Sequence, residues 1–289
     1  MMTASELAMH STVRIECTDA SGRPSSGTGF FYNFFPFEGK AVPAVVTNKH
    51  VITGSTTGCF HLTLKDSNNS PIYGSHIKIS LDNFEKRWIH HPDKNVDLAI
   101  MLVANTLNDA TKSGKIPYYV SVSQDIIWGD DKLHELSAIE EISMVGYPNG
   151  LWDEKNNIPV IRRGITATPA YIDYNGKKEF VIDAACFPGS SGSPVFIINE
   201  GSYSQKRVAS LVAGSRIIFL GVLYAGPQIS TEGEIIVVDV PTDRRAIPVS
   251  RLMMNLGYCI KAGRIVEFEA HLVSMGLTPP DGYTTPPLA

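Results

Sequence analysis

The segment FPGSSGSPVF, residues 187–196, decides the expected fold and chemistry of this chain. Its first half is a glycine-rich turn that carries Ser191, and its second half runs into an apolar strand. Glycines beside a serine let the backbone aim two N–H groups at one point, where they could hold a developing oxyanion. A serine hydroxyl becomes a good nucleophile only when a base removes its proton. The segment alone could also be a flexible loop, so its interpretation depends on partners elsewhere in the chain.

Two further segments supply those partners. In AVVTNKHVI, residues 44–52, an apolar strand ends at Thr47 and turns into His50, and in HPDKNVDLAIML, residues 91–102, Asp97 begins an apolar strand. An imidazole has a suitable pKa for a general base, and a buried carboxylate fixes its tautomer. The sequence therefore predicts a catalytic triad of His50, Asp97 and Ser191, with the backbone N–H groups of Gly189 and Ser191 as the oxyanion hole.

Short apolar runs separated by Gly, Pro, Asn and Asp dominate residues 12–241. Many short strands at this spacing favour closed or sandwiched antiparallel sheet. The runs fall into two groups of about six, which predicts an all-β fold of two six-stranded antiparallel β-barrels. We place the N-terminal barrel at about residues 10–120 and the C-terminal barrel at about residues 136–245.

A C-terminal helix is expected after the second barrel. Val249, Leu252, Met253 and Leu256 recur at i, i+3, i+4 and i+7, and Gly257 supplies a stop. This pattern predicts a helix over residues 249–257. One domain would then span residues 1–258, followed by a C-terminal extension over residues 259–289.

Taken together, TNKHVI, VDLAI and PGSSGSP resemble the three catalytic blocks of trypsin-like serine peptidases, in the order His, Asp, Ser of that family. SGTGFFY resembles an early strand of that family, MVGYPNGLW with RRGITAT its second-barrel segment before the serine, and GVLYAG the strand that lines its substrate cleft. The resemblance therefore covers roughly residues 12–258. It implies a chymotrypsin-like double barrel and a serine endopeptidase that cleaves protein substrates. α/β-Hydrolases use the order Ser, acid, His and a G-x-S-x-G elbow, which this chain lacks.

The residue before the nucleophile separates two branches of that family. Secreted digestive members have an acid there that pairs with a new N-terminus, whereas this chain has Ser190. The resemblance is therefore closer to bacterial Deg/HtrA-like catalytic domains, with too few residues after the predicted helix for a PDZ domain. We expect the site to form without N-terminal processing. A latent protease that needs a partner or a cleavage, and a non-catalytic binding protein of the same fold, are the alternatives.

The resemblance also suggests the substrate side chain that is bound before the scissile bond (P1). It places Ala185 at the floor of the primary pocket and Gly226 on its wall, and an uncharged floor favours a small or apolar P1 side chain. In the competing interpretation, Glu234 or Asp239 reaches the pocket and favours a basic P1.

Composition limits the other function classes. The 289 residues carry a net charge of −4 without a long basic stretch, so nucleic acid is not an expected partner. No apolar run approaches a membrane span, and the N-terminus lacks a signal-peptide pattern, which favours a cytoplasmic protein. The four cysteines are scattered without a C-x-x-C pair, and His90 and His91 lack matching ligands. The sequence thus predicts no cofactor and no metal site; the expected partners are peptide substrates and, in the latent alternative, a regulatory protein.

Overall fold

The fold is seen in a computed structural model that describes residues 2–204, 206, 211–232 and 249–284. Side chains are described outside residues 228–232 and 249–253. The fold is all-β, and the described residues also include five α-helices: α1 (Ala4–Met9), α2 (Lys49–Ile52), α3 (Ala104–Lys112), α4 (Asp130–Leu133) and α5 (Gly263–Ser274). No helix within these described ranges is long and apolar enough to cross a membrane.

The N-terminal half forms one antiparallel sheet of seven strands. These are β1 (Thr12–Asp19), β2 (Pro24–Phe37), β3 (Lys40–Thr47), β4 (Ser55–Lys65), β5 (Pro71–Asp82), β6 (Ile89–His90) and β7 (Ala99–Leu102). Their order is β5-β4-β1-β2-β3-β7-β6, so β5 and β6 are the edges and no ladder between them closes the sheet in the described chain. The prediction of a closed six-stranded N-terminal barrel is thus corrected to a seven-stranded sheet, because the segment before Asp97 contributes the short edge strand β6.

The C-terminal half contains a closed barrel. The described strands of this half of the chain are, in order, β8 (Glu141–Gly146), β9 (Val160–Thr166), β10 (Glu179–Asp183), β11 (Pro194–Asn199), β12 (Ser202–Ser204), β13 (Leu211–Ala213), β14 (Arg216–Ala225), β15 (Gln228–Glu232), β16 (Val249–Met253) and β17 (Leu256–Lys261). Six of them close in the order β10-β17-β14-β11-β8-β9. The pairs β12-β13 and β15-β16 are separate two-stranded sheets. The prediction of a six-stranded C-terminal barrel is confirmed, but its last strand, β17, lies beyond the predicted boundary at residue 245.

The helix predicted over residues 249–257 was wrong in position. Those residues belong to β16 and to the start of β17, which pairs with both β10 and β14 and completes the barrel. Ladder bonds on both sides of β17 outweigh a helical apolar pattern that spans only two turns. The C-terminal helix is α5, and its buried Phe268 and Leu272 lie in the core. The predicted domain end at residue 258 therefore falls inside a barrel strand.

Side chains of β2 and β3 point alternately to the two faces of the first sheet, and each face packs against a different apolar cluster. Phe30, Tyr32 and Phe34 point toward the second barrel and α5, whereas Phe31 points into the first sheet's own core. Successive side chains of a strand face opposite sides, and here both sides are buried. One apolar layer therefore joins the two halves, and it fixes the loops at their junction.

Candidate active site

His50 and Asp97 meet at the end of the first sheet. His50 Nδ1 lies 2.5 Å from Asp97 Oδ2, and the His50 backbone N–H donates to the other carboxylate oxygen at 3.2 Å. Both carboxylate oxygens therefore contact the same residue. Such an arrangement fixes the ring orientation and leaves Nε2 as the nitrogen that faces away from the carboxylate.

The ends of β3 and β7 hold this pair in place. The buried Asn48 side chain donates to the Asp97 carbonyl oxygen at 2.8 Å, which ties the residues before His50 to the segment that carries the acid. The Thr47 hydroxyl donates to the Thr28 carbonyl oxygen at 2.7 Å. His50 follows immediately, in the short helix α2.

Ser191 lies in the turn between β10 and β11. Its carbonyl oxygen accepts from the Thr28 N–H at 2.9 Å, and the N–H of Gly192 donates to the Leu223 carbonyl at 2.8 Å. Gly192 has a φ of +87°, and a Cβ there would lie 1.9 Å from the Thr28 carbonyl oxygen. Only glycine satisfies both conditions. The turn is thus pressed against β2 and lies next to Thr47, three residues before His50.

The structure brings His50 and Asp97 into a hydrogen bond, but no hydrogen bond joins His50 to Ser191 among the described residues. The Ser191 side chain instead lines a cavity between the turn and β14. Catalytic hydrogen bonds are often long in a free enzyme and tighten when substrate binds.

The peptide between Pro188 and Gly189 has a defined orientation. The Pro188 carbonyl oxygen accepts from the Asn149 N–H at 2.5 Å, and the peptide is trans. Because C=O and N–H point in opposite directions across a trans peptide, the Gly189 N–H points away from the Asn149 loop. Neither this N–H nor that of Ser191 donates to another group in the described chain.

The cavity at Ser191 has a volume of about 340 Å³. It is lined by Cys186, Phe187, Pro188, Ser191, Leu223, Tyr224, Ala225 and Gly226. Gly226 is part of this lining. Ala185 is outside the lining, and its carbonyl oxygen accepts from Arg162 Nη1. Glu234 and Asp239 lie outside the described residues.

Arg162 is a residue that the sequence analysis did not single out. Its guanidinium carbon lies 4.7 Å from the centre of the Phe187 ring, and burial lowers its pKa. Within the described part of the chain, the hydrogen-bond partner of its guanidinium is the Ala185 carbonyl oxygen, and no carboxylate pairs with it. A positive charge therefore lies behind one wall of the cavity.

Tyr224 lies on the wall of the cavity that β14 forms. Its hydroxyl donates to Glu179 Oε2 at 2.8 Å rather than to Asp97, and burial and Glu179 raise its pKa. Asp97 is held instead by His50 and Asn48. The sequence analysis also missed Thr28 and Asn149, which lie far from the catalytic blocks in the chain.

The family model described as "Trypsin-like peptidase domain" matches residues 27–202. A search of curated proteins finds no match.

Among solved structures, the HtrA-type protease AlgW with tripeptide is similar at a TM-score of 0.50 and 14% identity. The likeness covers 95% of this chain but only 64% of that one. The Rv3671c protease from M. tuberculosis, in its active form, matches at a TM-score of 0.43 and 16% identity, over 96% of this chain and 86% of that one. The likeness to AlgW is one of fold. Since the family model spans more than half of the sequence, the chain belongs to the family of trypsin-like peptidases.

Proposed function

We propose that this protein is a serine endopeptidase that hydrolyses peptide bonds in protein substrates through Ser191, His50 and Asp97. The observation that carries the proposal is the contact of 2.5 Å between His50 Nδ1 and Asp97 Oδ2. The turn that carries Ser191 packs against Thr28 and Thr47, and Thr47 is three residues before His50. A histidine oriented in this way has its second nitrogen free to act as a base.

Catalysis proceeds in two halves. Ser191 Oγ attacks the scissile carbonyl carbon while His50 Nε2 takes its proton, and the imidazolium is stabilised by Asp97. The same proton passes to the leaving amine, which leaves an acyl group on Ser191. A water molecule, deprotonated by His50, then hydrolyses this acyl-enzyme and regenerates the serine.

The N–H groups of Gly189 and Ser191 stabilise the tetrahedral intermediates. The orientation of the Pro188–Gly189 peptide supports this role, since its carbonyl is bound to Asn149 and its N–H is directed to the other side. One such donor is typically worth about 3 kcal/mol of transition-state stabilisation.

The substrate preference that we propose is a small or apolar P1 side chain. Among the described residues, the lining of the cavity beside Ser191 includes no carboxylate, and most of its side chains are apolar. A lysine or arginine would find no counter-ion among these residues and would lie near the guanidinium of Arg162, at a considerable cost. The basic alternative depends on Glu234 or Asp239, which lie outside the described residues.

We also propose that the site forms without cleavage of the N-terminus. Ser190 is buried, its N–H donates to the Phe187 carbonyl at 3.0 Å, and its own carbonyl accepts from Ser193 at 3.0 Å. These bonds lie within the turn itself. A carboxylate paired with a new N-terminus is not needed to hold it.

The test is labelling by a fluorophosphonate probe together with cleavage of casein and of a peptide library. Wild-type protein should take the label and cut after small or apolar residues, and Ser191→Ala should do neither. Absence of label from the folded wild type would contradict constitutive activity. Label that appears only after a second protein is added, or after cleavage, would identify the latent protease instead.

A further inference from the structure

A second cluster of reactive side chains lies on the first sheet, outside the proposed catalytic site. Glu16 of β1 is the direct register partner of Cys59 on β4, and His61 is two residues further along β4. Residues that face each other across a ladder, and residues at i and i+2, share one face of a sheet. The carboxylate, thiol and imidazole therefore converge on the same side.

The ligand atoms of these three side chains all lie within 4.8 Å of one another. Glu16 Oε2 is 3.3 Å from Cys59 Sγ and 3.2 Å from His61 Nε2. Around a tetrahedral zinc ion, with ligands at about 2.0–2.3 Å, neighbouring ligand atoms are roughly 3.3–3.8 Å apart. We propose that Glu16, Cys59 and His61 form a zinc-binding site.

The surroundings leave room for an ion and a further ligand. Glu16 and Cys59 line a cavity of about 600 Å³ that also reaches the loop at Asn149 and Gly150. Three protein ligands with an open fourth position are typical of zinc sites that keep a water or another exchangeable ligand. The fourth ligand here comes from the cavity.

Neighbouring side chains orient two of the ligands. Arg14 Nη1 binds Glu16 Oε1 at 2.8 Å, which leaves Oε2 directed at Cys59 and His61. The centre of the Trp152 ring lies 4.9 Å from the centre of the His61 ring, in an edge-to-face arrangement. It lies 5.0 Å from the guanidinium carbon of Arg14, which is above the Trp152 ring. Partners of this kind fix a metal ligand's orientation and affect metal affinity.

The protonation states agree with this geometry. Burial lowers the pKa of His61, so the ring is neutral at pH 7 and has a lone pair to donate. Burial and then Glu16 raise the pKa of Cys59 to about 11. Zinc must therefore displace the thiol proton to solvent, after which the thiolate and carboxylate together balance the charge of the ion.

The site is tested with the full-length protein carrying His50→Ala, which removes the imidazole of the proposed triad and prevents self-digestion. After dialysis against a chelator, the protein is titrated with zinc in competition with a chromophoric chelator and, separately, with cobalt(II). We expect one zinc per chain and a sulfur-to-cobalt charge-transfer band in the near ultraviolet. Cys59→Ser should abolish that band and weaken zinc binding at least about 100-fold. Loss of a residue that only orients a ligand weakens metal binding by about 10–100-fold, and loss of the ligand itself should cost more.

Cys17→Ser is the matched control. Cys17 is a buried thiol beside Glu16 on β1, but its sulfur bonds to the Val51 carbonyl oxygen at 3.2 Å, away from the cluster. The Cys17→Ser variant should keep both the cobalt charge-transfer band and the affinity for zinc. His61→Gln, checked for native circular dichroism, decides the question if Cys59→Ser does not fold. Absence of the cobalt band, or its survival in Cys59→Ser or in folded His61→Gln with unchanged zinc affinity, would overturn the site.

Discussion

The hydroxyl of Thr28 on β2 donates to the carbonyl oxygen of Gly189 at 3.0 Å and so joins the first sheet to the turn that carries Ser191. The same hydroxyl accepts from the Tyr147 N–H at 3.0 Å, and the Thr28 N–H donates to the Ser191 carbonyl. Thr28 is fully buried. One side chain therefore holds three parts of the junction between the halves of the molecule in a common arrangement.

Replacement of Thr28 by Val should damage both activity and stability. Valine has the same shape, but it leaves the Gly189 carbonyl and the Tyr147 N–H without their partner, at about 1–3 kcal/mol for a buried unsatisfied group. We expect a loss of this size in the free energy of unfolding in urea and a drop in kcat of at least about tenfold, the rate equivalent of 1.4 kcal/mol. Thr28→Ser keeps the hydroxyl and serves as control. Equal kcat in Thr28→Val and wild type would show that the turn does not depend on this bond.

Asp97→Asn should remove most of the turnover without unfolding the protein. An amide can keep the hydrogen bond to His50 Nδ1 only by stabilising the wrong tautomer, which costs about 10⁴-fold in kcat in a triad of this kind. The measurement is hydrolysis of a fluorogenic peptide, with circular dichroism as a check on folding. Asp109→Asn, a change at an exposed carboxylate of α3, is the matched control and should leave kcat unchanged.

Gly192→Ala should be far more destabilising than an alanine at another glycine of similar backbone conformation. Gly192 and Gly176 both have positive φ, but a Cβ at Gly192 would overlap the Thr28 carbonyl oxygen, whereas a Cβ at Gly176 meets open space. We expect about 1–2 kcal/mol for Gly176→Ala from its backbone conformation alone. In urea unfolding, Gly192→Ala should lose at least twice as much free energy of unfolding as Gly176→Ala. It should also lose fluorophosphonate labelling. Similar losses for the two variants would contradict the close approach of this turn to β2.

The stability of the protein should fall as the pH is lowered through the range where histidine titrates. Burial lowers the pKa of His91, whose ring lies 3.0 Å from the Arg264 carbonyl oxygen. Below about pH 6.5 the unfolded chain then binds more protons than the folded one, so protonation favours unfolding. The free energy of unfolding, measured at pH 7 and pH 5, should decrease less in His91→Gln than in wild type. His90→Gln, at the exposed neighbouring histidine, should keep the wild-type pH dependence.

The sequence was informative wherever a short segment carries its own signal. Alternating apolar residues marked most strands, and the segments around residues 50, 97 and 191 were sufficient to predict His50 next to Asp97. The glycine at position 192 was part of the same signal, because a turn of this kind needs a residue without a Cβ. These features are local, and each is determined by a few consecutive residues.

The predictions from sequence were wrong where the secondary structure of a segment depends on pairing with strands distant in the chain. Residues 249–257 carry an apolar pattern of helical period, but β17 gains ladder bonds from β10 and β14 on both sides, and this tertiary pairing outweighs the local pattern. The first sheet has a seventh strand because β6 pairs with β7 at its edge. β6 is only two residues long, which is too short to show a strand pattern in the sequence.

The chain by itself determined the segments around His50, Asp97 and Ser191 and their order, since the residue types that form a local turn are consecutive in the sequence. Only the tertiary structure decided that Thr28 binds the turn that carries Ser191, that Arg162 lies behind the cavity wall, and that Cys59 meets Glu16 and His61. The scattered cysteines gave no sign of a metal site in the sequence, because Glu16 and Cys59 become neighbours only through the register of β1 and β4. Strand register depends on the packing of the whole sheet, and no single segment contains it.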